Sequence, residues 1–418
     1  MWRLSASGPD RGSSGVGALP GFLAALQFRN YRLLWLGAFL SSVGTWTQDV
    51  ALAWLIHSRI GDPFYLGLRA FAADAPLMAF MLLGGAVADR IDRRRILLTS
   101  QLLQMGFAAT LALLYAAGWL GIEAILLLAF LTGLTQSQSA PTYQAVLTSV
   151  VPPLHIPNAV ALNSLQFNLS RAIGPAFAAV LLARAGIGAC LAANAVSYLA
   201  VIVALWLIEV PPRYAAPPQS LRRSLQAGIA HVWGSSVLKT LTLLGAAGSF
   251  LGFPLITFLP VLAGDVLGTG AAGYSLLLSS FGAGAIGGAL ATAQRAGVPR
   301  RGGRVLLAFA AYGLFTLAAV SSRRQLFTTA LLFAAGWSLV TAFSTLNSLV
   351  QENAPDVLKG RILSIYGLAF RGGMPFGSLA AGLAVARVGA PTVIGGFSLT
   401  LAVLSGVVYL RNARIRGL

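Results

Sequence analysis

The sequence contains few charged residues and many long apolar runs. Only 10% of its 418 residues are charged, whereas 57% are hydrophobic, and the mean hydropathy is +0.78. Because a soluble globular chain carries about 25% charged residues, this chain cannot cover itself with a solvated surface. Its apolar runs also exceed the roughly 10–14 residues that a buried helix needs. These features exclude an ordinary soluble protein and predict a chain that crosses a membrane repeatedly.

The residues that usually carry catalysis or bind metals are equally scarce. A single cysteine, Cys190, excludes an intramolecular disulfide and a cysteine-based metal cluster. The three histidines, His57, His155 and His231, are scattered near the ends of apolar runs and form no catalytic constellation. No phosphate-binding loop motif is present, which excludes ATP hydrolysis. We therefore predict that the chain is not an enzyme and holds no metal and no cofactor.

Acidic residues are far fewer than basic ones. The chain has 11 Asp and Glu against 29 Lys and Arg, so its net charge is +18. The arginines lie between apolar runs rather than on one basic domain, so the partner that they indicate is the lipid bilayer and not nucleic acid. Residues 1–28 lack the apolar core of a secretory signal, and the first span, from about Tyr31, is expected to serve as the insertion signal.

Membrane-spanning helices can be counted from the apolar runs. A hydrocarbon core about 30 Å thick needs roughly 20 helical residues, far more than the roughly 9–11 of a membrane β-strand. Twelve stretches qualify, at about residues 31–57, 64–88, 96–118, 121–146, 158–184, 186–209, 237–263, 272–294, 303–320, 325–350, 360–386 and 391–410.

The distribution of Lys and Arg predicts the orientation of these spans. Basic residues favour cytoplasmic segments. With the N-terminus inside, 21 Lys and Arg residues fall on the cytoplasmic side and five on the other, and Arg69, Arg171 and Arg371 remain inside spans. Both termini are therefore expected in the cytoplasm.

The second half of the sequence repeats the first at an offset of 203 residues. One offset without a gap aligns several separate stretches, which chance seldom produces. The matched pairs are Gly84-Gly85 with Gly287-Gly288, Pro152 with Pro355, Leu165 with Leu368, Phe167 with Phe370, Gly174 with Gly377, and residues 183–186 with residues 386–389.

The repeat predicts an all-α membrane protein of two six-helix bundles related by a parallel pseudo-two-fold axis. A substrate site would lie between the bundles, and rocking of one bundle against the other would give alternating access. The expected segments are a cytoplasmic N-terminal segment at 1–30, the first bundle at 31–209, a cytoplasmic linker at 210–236, the second bundle at 237–410 and a cytoplasmic tail at 411–418.

The loop after the second span carries a recognisable motif. Its residues are Gly85-x-Val87-Ala88-Asp89-Arg90-x-x-Arg93-Arg94. This pattern resembles the signature G-x-L-A-D-R-x-G-R-R of the major facilitator superfamily, which occupies the matching loop. Asp92 stands where the signature has its second glycine.

Four further stretches resemble one branch of that superfamily, the drug and siderophore exporters that include the enterobactin exporter and macrolide efflux proteins. The resemblance covers about residues 27 to 410 and implies a proton-driven exporter in a bacterial inner membrane. The stretches are Arg29-Asn30-Tyr31-Arg32-x-x-Trp35, Gly44-Thr45-Trp46-x-Gln48, Asn163 through Arg171-x-x-Gly174-Pro175-Ala176, and Pro355-x-x-x-x-Gly360-Arg361.

The resemblance also implies a conformational latch. Asp89 can meet the positive N-terminus of the eleventh span and hold the cytoplasmic side closed, a role that this loop has in relatives. The neighbouring arginines chiefly set the topology. The implied latch residues are Gly85, Asp89, Arg90, Arg93, Arg94, Gly360 and Arg361.

Two carboxylates, Asp49 and Asp74, lie inside predicted spans and are candidates for proton coupling. A charged group at mid-span costs about 2.5–3.5 kcal/mol on insertion scales, so such residues usually have a function. For Asp49 the alternative is a structural or substrate-binding carboxylate. For Asp74 the alternative is a buried ion pair with Arg69 or Arg171.

The in-membrane arginines Arg171 and Arg371 require a partner, such as Asp49, Asp74, a carbonyl or an anionic substrate. Polar and aromatic residues of spans 1, 4, 7 and 10 are candidates for a substrate cavity, although polar ones can instead join helices by hydrogen bonds. The cavity candidates are Thr45, Gln48, Gln136, Gln138, Tyr143, Phe250, Phe253, Trp337, Thr341 and Asn347.

Together these features predict a monomeric secondary active transporter that exports a hydrophobic or amphiphilic, drug- or siderophore-like small molecule in exchange for protons. One alternative is a lysophospholipid or metabolite transporter that works in another direction. A second is a non-transporting membrane scaffold or sensor, which would have no need for acids inside its spans.

The latch gives a first testable prediction. Asp89→Asn removes the charge that would bind the helix N-terminus, so we expect the inward-facing state to become more populated. Labelling of a cysteine placed in a cytoplasmic segment should then be faster than in the parent protein. Unchanged labelling would contradict the latch.

Overall fold

A computed structural model describes residues 21–88, 92–210, 221–295, 299–356 and 358–418 of the chain. The described residues are almost entirely helical and contain no strand. The helices are α1 Arg29–Leu55, α2 Phe64–Ala88, α3 Arg93–Ala116, α4 Ile122–Ser149, α5 Ile156–Leu207, α6 Leu221–Gly234, α7 Ser236–Gly252, α8 Pro254–Val261, α9 Gly270–Gln294, α10 Arg301–Ser321, α11 Gln325–Asn353, α12 Lys359–Val388, α13 Ala390–Arg411 and α14 Ala413–Gly417.

The prediction of an all-helical membrane protein is confirmed. Within the described residues, eight helical segments are long and apolar enough to cross a membrane. Each predicted span overlaps a helix, with the fifth and sixth both inside α5 and the seventh shared by α7 and α8. The count of twelve crossings and the two-bundle arrangement stay predictions.

Two glycines allow sharp reversals between long helices. Gly186 interrupts α5 with a φ of 76°, and Gly389 separates α12 from α13 with a φ of 82°. A residue with a side chain is strained at such positive φ values, whereas glycine is not. The chain can therefore turn at these points without a longer loop.

The predicted linker, residues 210–236, is only partly a loop. Residues 211–220 lie outside the described part of the chain, but α6 fills most of the remainder. This helix packs on the start of α12, where Gly228 lies against Ile365 and Arg361. This helix is not evident from the sequence, because it is short and its arginines are typical of a loop between spans.

Most contacts lie within two groups of helices. Helices α1–α5 pack mainly on one another, as do α7 and α9–α13, and the two groups meet chiefly where α2 contacts α12 and where α5 contacts α9. We call the end at which α1 begins the terminal side, and the end at which α2 begins the distal side.

Contacts between the groups are tight on the distal side. Gly67 of α2 lies against the backbone of Ser378 and Gly382 of α12, and the Phe71 and Phe376 rings are 5.4 Å apart. The Nε2 atom of His57, after α1, is 3.5 Å from an Asp265 carboxylate oxygen of the C-terminal group. These contacts join the two groups of helices on the distal side.

The close approach at Gly67 gives a second prediction. A β-carbon there would overlap the carbonyl oxygen of Ser378, so Gly67→Ala must push α2 away from α12. Such overpacking costs about 1–3 kcal/mol, and we expect a lower melting temperature for the purified protein. Gly106→Ala in α3 is the control, since nothing lies within 4 Å of its β-position. Equal melting temperatures for both variants would contradict this tight contact.

Candidate functional site

Asp49 of α1 forms an ion pair with Arg69 of α2. The carboxylate side chain is 40% exposed, whereas the Arg69 side chain is 17% exposed. From the sequence, Arg69 is also a possible partner for Asp74. Those two residues are five positions apart on α2, so they point to different faces, whereas side chains three or four apart are neighbours. In the structure, Arg69 therefore pairs with Asp49.

Asp74 faces the helix of the other group, α12. It stands three residues after Phe71 and four before Met78, which places all three on one face of α2. Phe71 contacts Phe376, and Met78 lies beside Gly372, both on α12.

The charge of Arg371, on the same stretch of α12, acts on the Asp74 carboxylate, as do the charges of Asp49 and Arg69. Arg371 is exposed. We call Asp49, Arg69, Asp74 and Arg371 the charge network. It contains two acids and two bases and connects α1, α2 and α12.

Arg171 of α5 contacts neighbours on its own helix. It is only 8% exposed, and its Nη2 atom donates a hydrogen bond to Asn168 Oδ1 at 3.1 Å. Its guanidinium lies 5.8 Å from the centre of the Phe167 ring. In the described part of the chain it forms no ion pair, so the predicted pairing with Asp49 or Asp74 is not observed. Local amide and aromatic contacts replace it.

Two of the predicted cavity residues, Thr45 and Gln48, form hydrogen bonds to α5. Thr45 Oγ1 donates to Asn194 Oδ1 of α5 at 3.5 Å, and Gln48 Oε1 accepts from Asn194 Nδ2 at 2.9 Å. Asn194 is fully buried. An amide pair of this kind satisfies polar groups within the membrane and holds α1 against α5.

The three candidates on α4, Gln136, Gln138 and Tyr143, are half-buried. The Gln138 Oε1 and Tyr143 hydroxyl oxygens are buried without a hydrogen-bond partner in the described residues. Buried polar atoms without partners are uncommon and costly.

The aromatic candidates divide between two places. Phe253 packs with Phe343 and Phe370 at ring distances of 5.8 and 5.9 Å, whereas Phe250 stacks on Phe397 at 5.9 Å. Phe343 and Phe370 were not among the predicted cavity residues. With 22 phenylalanines on apolar helices, the sequence gives no signal of which rings meet.

The remaining candidates lie on α11. Trp337 is 38% exposed and packs against Gly287 of α9, and Thr341 donates a hydrogen bond to the Gly288 carbonyl at 3.4 Å. Asn347 is exposed. Trp337 and Thr341 therefore lie between α9 and α11, while Asn347 is on a different face.

Part of the predicted latch lies outside the described residues, namely Asp89 and Arg90. Gly85 is near the end of α2, and Arg93 begins α3. Arg94 donates from Nε to the Leu205 carbonyl at 2.8 Å and from Nη2 to the Trp206 carbonyl at 2.7 Å. It thus caps the last turn of α5, where helix carbonyls lack partners.

The glycine-to-aspartate departure in the motif has a structural reason. The Asp92 carboxylate accepts a hydrogen bond from the Arg95 backbone N–H at 2.9 Å and is the N-cap of α3. Aspartate is among the preferred residues at this position. At the other end of the predicted latch, Gly360 is exposed and Arg361 packs beside Gly228 of α6. The latch contact itself stays a prediction.

A cavity of about 590 Å³ opens on the terminal side between α5, α9, α10 and α11. Arg295, Arg301, Arg304 and Glu352 line it, and Arg301 Nη1 is 2.6 Å from a Glu352 carboxylate oxygen. Among the polar and aromatic residues of the tenth predicted span, Thr345 lines it, whereas Trp337, Thr341 and Asn347 do not. In the sequence these arginines are only topology signals, because the pairing of residues 51 positions apart is not visible in a single sequence.

Comparison with known proteins agrees with this architecture. The family described as "Transmembrane secretion effector" matches residues 21–416. The staphyloferrin A transporter of Staphylococcus aureus (strain NCTC 8325 / PS 47) is 26% identical over 91% of this chain and 95% of its own length. The multidrug efflux pump Tap of Mycolicibacterium fortuitum is 25% identical over 92% of this chain and 96% of its own.

The fold is also similar to solved transporter structures. A crystal structure of a D-xylose–proton symporter superposes with a TM-score of 0.71, covering 90% of this chain and 97% of that chain at 13% identity. An identity this low supports the fold alone. The matched family and relatives are multi-pass membrane transporters and not enzymes. The chain belongs to the transmembrane secretion effector family of the major facilitator superfamily.

Proposed function

We propose that the protein is a secondary active exporter that moves an amphiphilic small molecule out of a bacterial cell in exchange for protons. The relatives named for staphyloferrin A transport and for multidrug efflux support this substrate class. The excess of Lys and Arg in segments on the terminal side supports an inner-membrane orientation with both termini cytoplasmic.

Two six-helix bundles, with twelve crossings, are part of the proposal. Pairs of glycines 203 residues apart support it, because they occupy similar structural positions. Gly186 and Gly389 both reverse the chain at positive φ. Gly133 of α4 and Gly336 of α11 both lie against a backbone carbonyl of a neighbouring helix, at Ala73 of α2 and at Phe281 of α9. The bundles would rock about the contacts between them.

The arrangement of the helices corresponds to one end of an alternating-access cycle. The distal side is closed by the α2–α12 contact, and the terminal side carries the cavity between α5 and the C-terminal helices. With the terminal side in the cytoplasm, this is an inward-facing state. A substrate would enter it from the cytoplasm and leave after the distal contacts open.

The charge network is the observation that carries the proton-coupling proposal. Asp49 has a direct partner, Arg69, within its own group of helices. Asp74 is placed between the groups, with Arg371 acting on it from α12. Protonation of Asp74 removes one charge of an opposite pair across α2 and α12, which weakens the attraction that holds the distal side closed. We therefore assign proton coupling to Asp74 and a structural role to Asp49.

Protons supply enough energy for such export. One charge that crosses a potential of 100 mV releases about 2.3 kcal/mol. This energy corresponds to a concentration ratio of about 50 for an exchanged neutral solute, because 1.4 kcal/mol corresponds to a factor of ten. ATP is therefore not needed.

The proposal predicts proton movement in inside-out membrane vesicles acidified by respiration. Erythromycin, tetracycline, ethidium and a citrate-based siderophore are added singly while the quinacrine fluorescence reports the luminal pH. At least one compound should raise the luminal pH, because export into the lumen would release protons from it. Asp74→Asn should abolish this rise, and Asp74→Glu should keep it.

Two variants serve as controls. Asp62→Asn removes an exposed distal acid that caps α2, and asparagine caps equally well, so proton movement should be unchanged. Asp49→Asn leaves Arg69 without its acid and should lower the yield of folded protein rather than the coupling ratio. If no compound raises the luminal pH, antiport of these classes of compound is contradicted. If Asp74→Asn shows the same rise in luminal pH as the parent protein, the assignment of proton coupling to Asp74 is contradicted.

A further inference from the structure

The terminal-side cavity has the features of a binding site. Its volume of about 590 Å³ lies within the range of about 300–1,000 Å³ that is usual for small-molecule sites. Its inner wall is formed largely by aliphatic side chains, which include Leu162 and Leu165 of α5 and Ile286 and Leu290 of α9. One wall belongs to the N-terminal group of helices and the other walls to the C-terminal group.

The charged residues of the cavity are collected at its mouth. Arg295 directly follows α9, Arg301 and Arg304 lie in the first turn of α10, and Glu352 is near the end of α11. With three arginines and one glutamate, the lining carries a net charge of +2.

The bases at the mouth are close to one another. Arg301 is engaged by Glu352 through both of its terminal nitrogens. Arg304 Nη1 donates to the backbone carbonyl of Arg295 at 3.3 Å, so the Arg304 guanidinium lies beside the backbone of Arg295. The charges of Arg301 and Arg295 both act on Arg304.

We propose that this cavity binds an amphiphilic anion, with a carboxylate or phosphate group at Arg295 and Arg304 and an apolar chain between α5 and α9. Arginine recognises these anions through charge-assisted hydrogen bonds. The aliphatic wall recognises the chain through burial of apolar surface. The inference concerns binding alone and goes beyond the proposed exchange of substrate for protons.

The test uses the full-length protein, purified in an uncharged maltoside detergent. The probe is 11-(dansylamino)undecanoic acid, whose fluorescence reports its binding, and the matched probe is its uncharged methyl ester. We expect the acid to bind at least tenfold more tightly than the ester. Arg304→Gln and Arg295→Gln should each weaken binding of the acid by roughly tenfold, the value of one charge-assisted hydrogen bond, and leave the ester unchanged.

Two further variants guard against a general loss of charge or of folding. Arg184→Gln removes one exposed arginine from the distal side, and its affinity for the acid should equal that of the parent protein. Ala293→Trp fills the cavity without changing its charge, so both probes should bind more weakly. The proposal is overturned if acid and ester bind equally, or if the cavity arginine variants behave like Arg184→Gln.

Competition distinguishes the source of the anion. Displacement of the probe by dihexanoyl phosphatidylglycerol, and not by dihexanoyl phosphatidylcholine, would support a site for an anionic lipid headgroup. Displacement by decanoate alone would support a site for a free amphiphilic solute. Displacement by neither anion would overturn the proposal. Because this assay measures no proton movement, its outcome is separate from that of the vesicle experiment.

Discussion

The contact between α2 and α12 is the feature on which the rest of the arrangement depends. At Gly67 the backbones of the two helices touch, and the absence of a side chain there makes this possible. The contact closes the distal side and brings Asp74 next to the stretch of α12 that carries Arg371. Since two groups of helices that touch at one end can diverge at the other, it also leaves room for the cavity on the terminal side.

The charge network contains two pairs of opposite charge, and only one of them depends on the contact between α2 and α12. Asp49 and Arg69 both belong to the N-terminal group, so their ion pair does not depend on where the C-terminal group lies. Asp74 and Arg371 belong to different groups, and their attraction lasts only while α2 stays near α12. A charge inside a membrane is costly without a partner. Separation of the groups therefore favours a neutral Asp74, which is the physical link that we propose between protonation and opening.

The helices could be predicted from the sequence because each is an apolar run of about 20 residues, and hydropathy over such a length leaves little ambiguity. The partners of individual side chains could not be predicted in this way. The sequence allows Arg69 to pair with either Asp49 or Asp74, and only the packing of α1 on α2 shows that it pairs with Asp49. Thr45 and Gln48 looked like cavity residues because a polar stripe on an apolar helix fits a cavity and a helix contact equally well. The structure shows a helix contact through Asn194, which donates a hydrogen bond to Gln48, and the cavity role stays a prediction.

The two sides of the molecule differ in their charges, and this difference bears on how substrate binding is connected to closure. On the distal side, Gly67 lets α2 and α12 meet, and these helices carry the opposite charges of Asp74 and Arg371. On the terminal side, the cavity mouth carries three arginines and one glutamate, a net charge of +2. An anion bound there would offset this charge, and its apolar chain would contact α5 on one side and α9 on the other. A ligand shifts a conformational equilibrium only through contacts that differ between the states. A molecule that neutralises this mouth while touching both groups of helices makes such contacts, so it would promote closing of the terminal side as it binds.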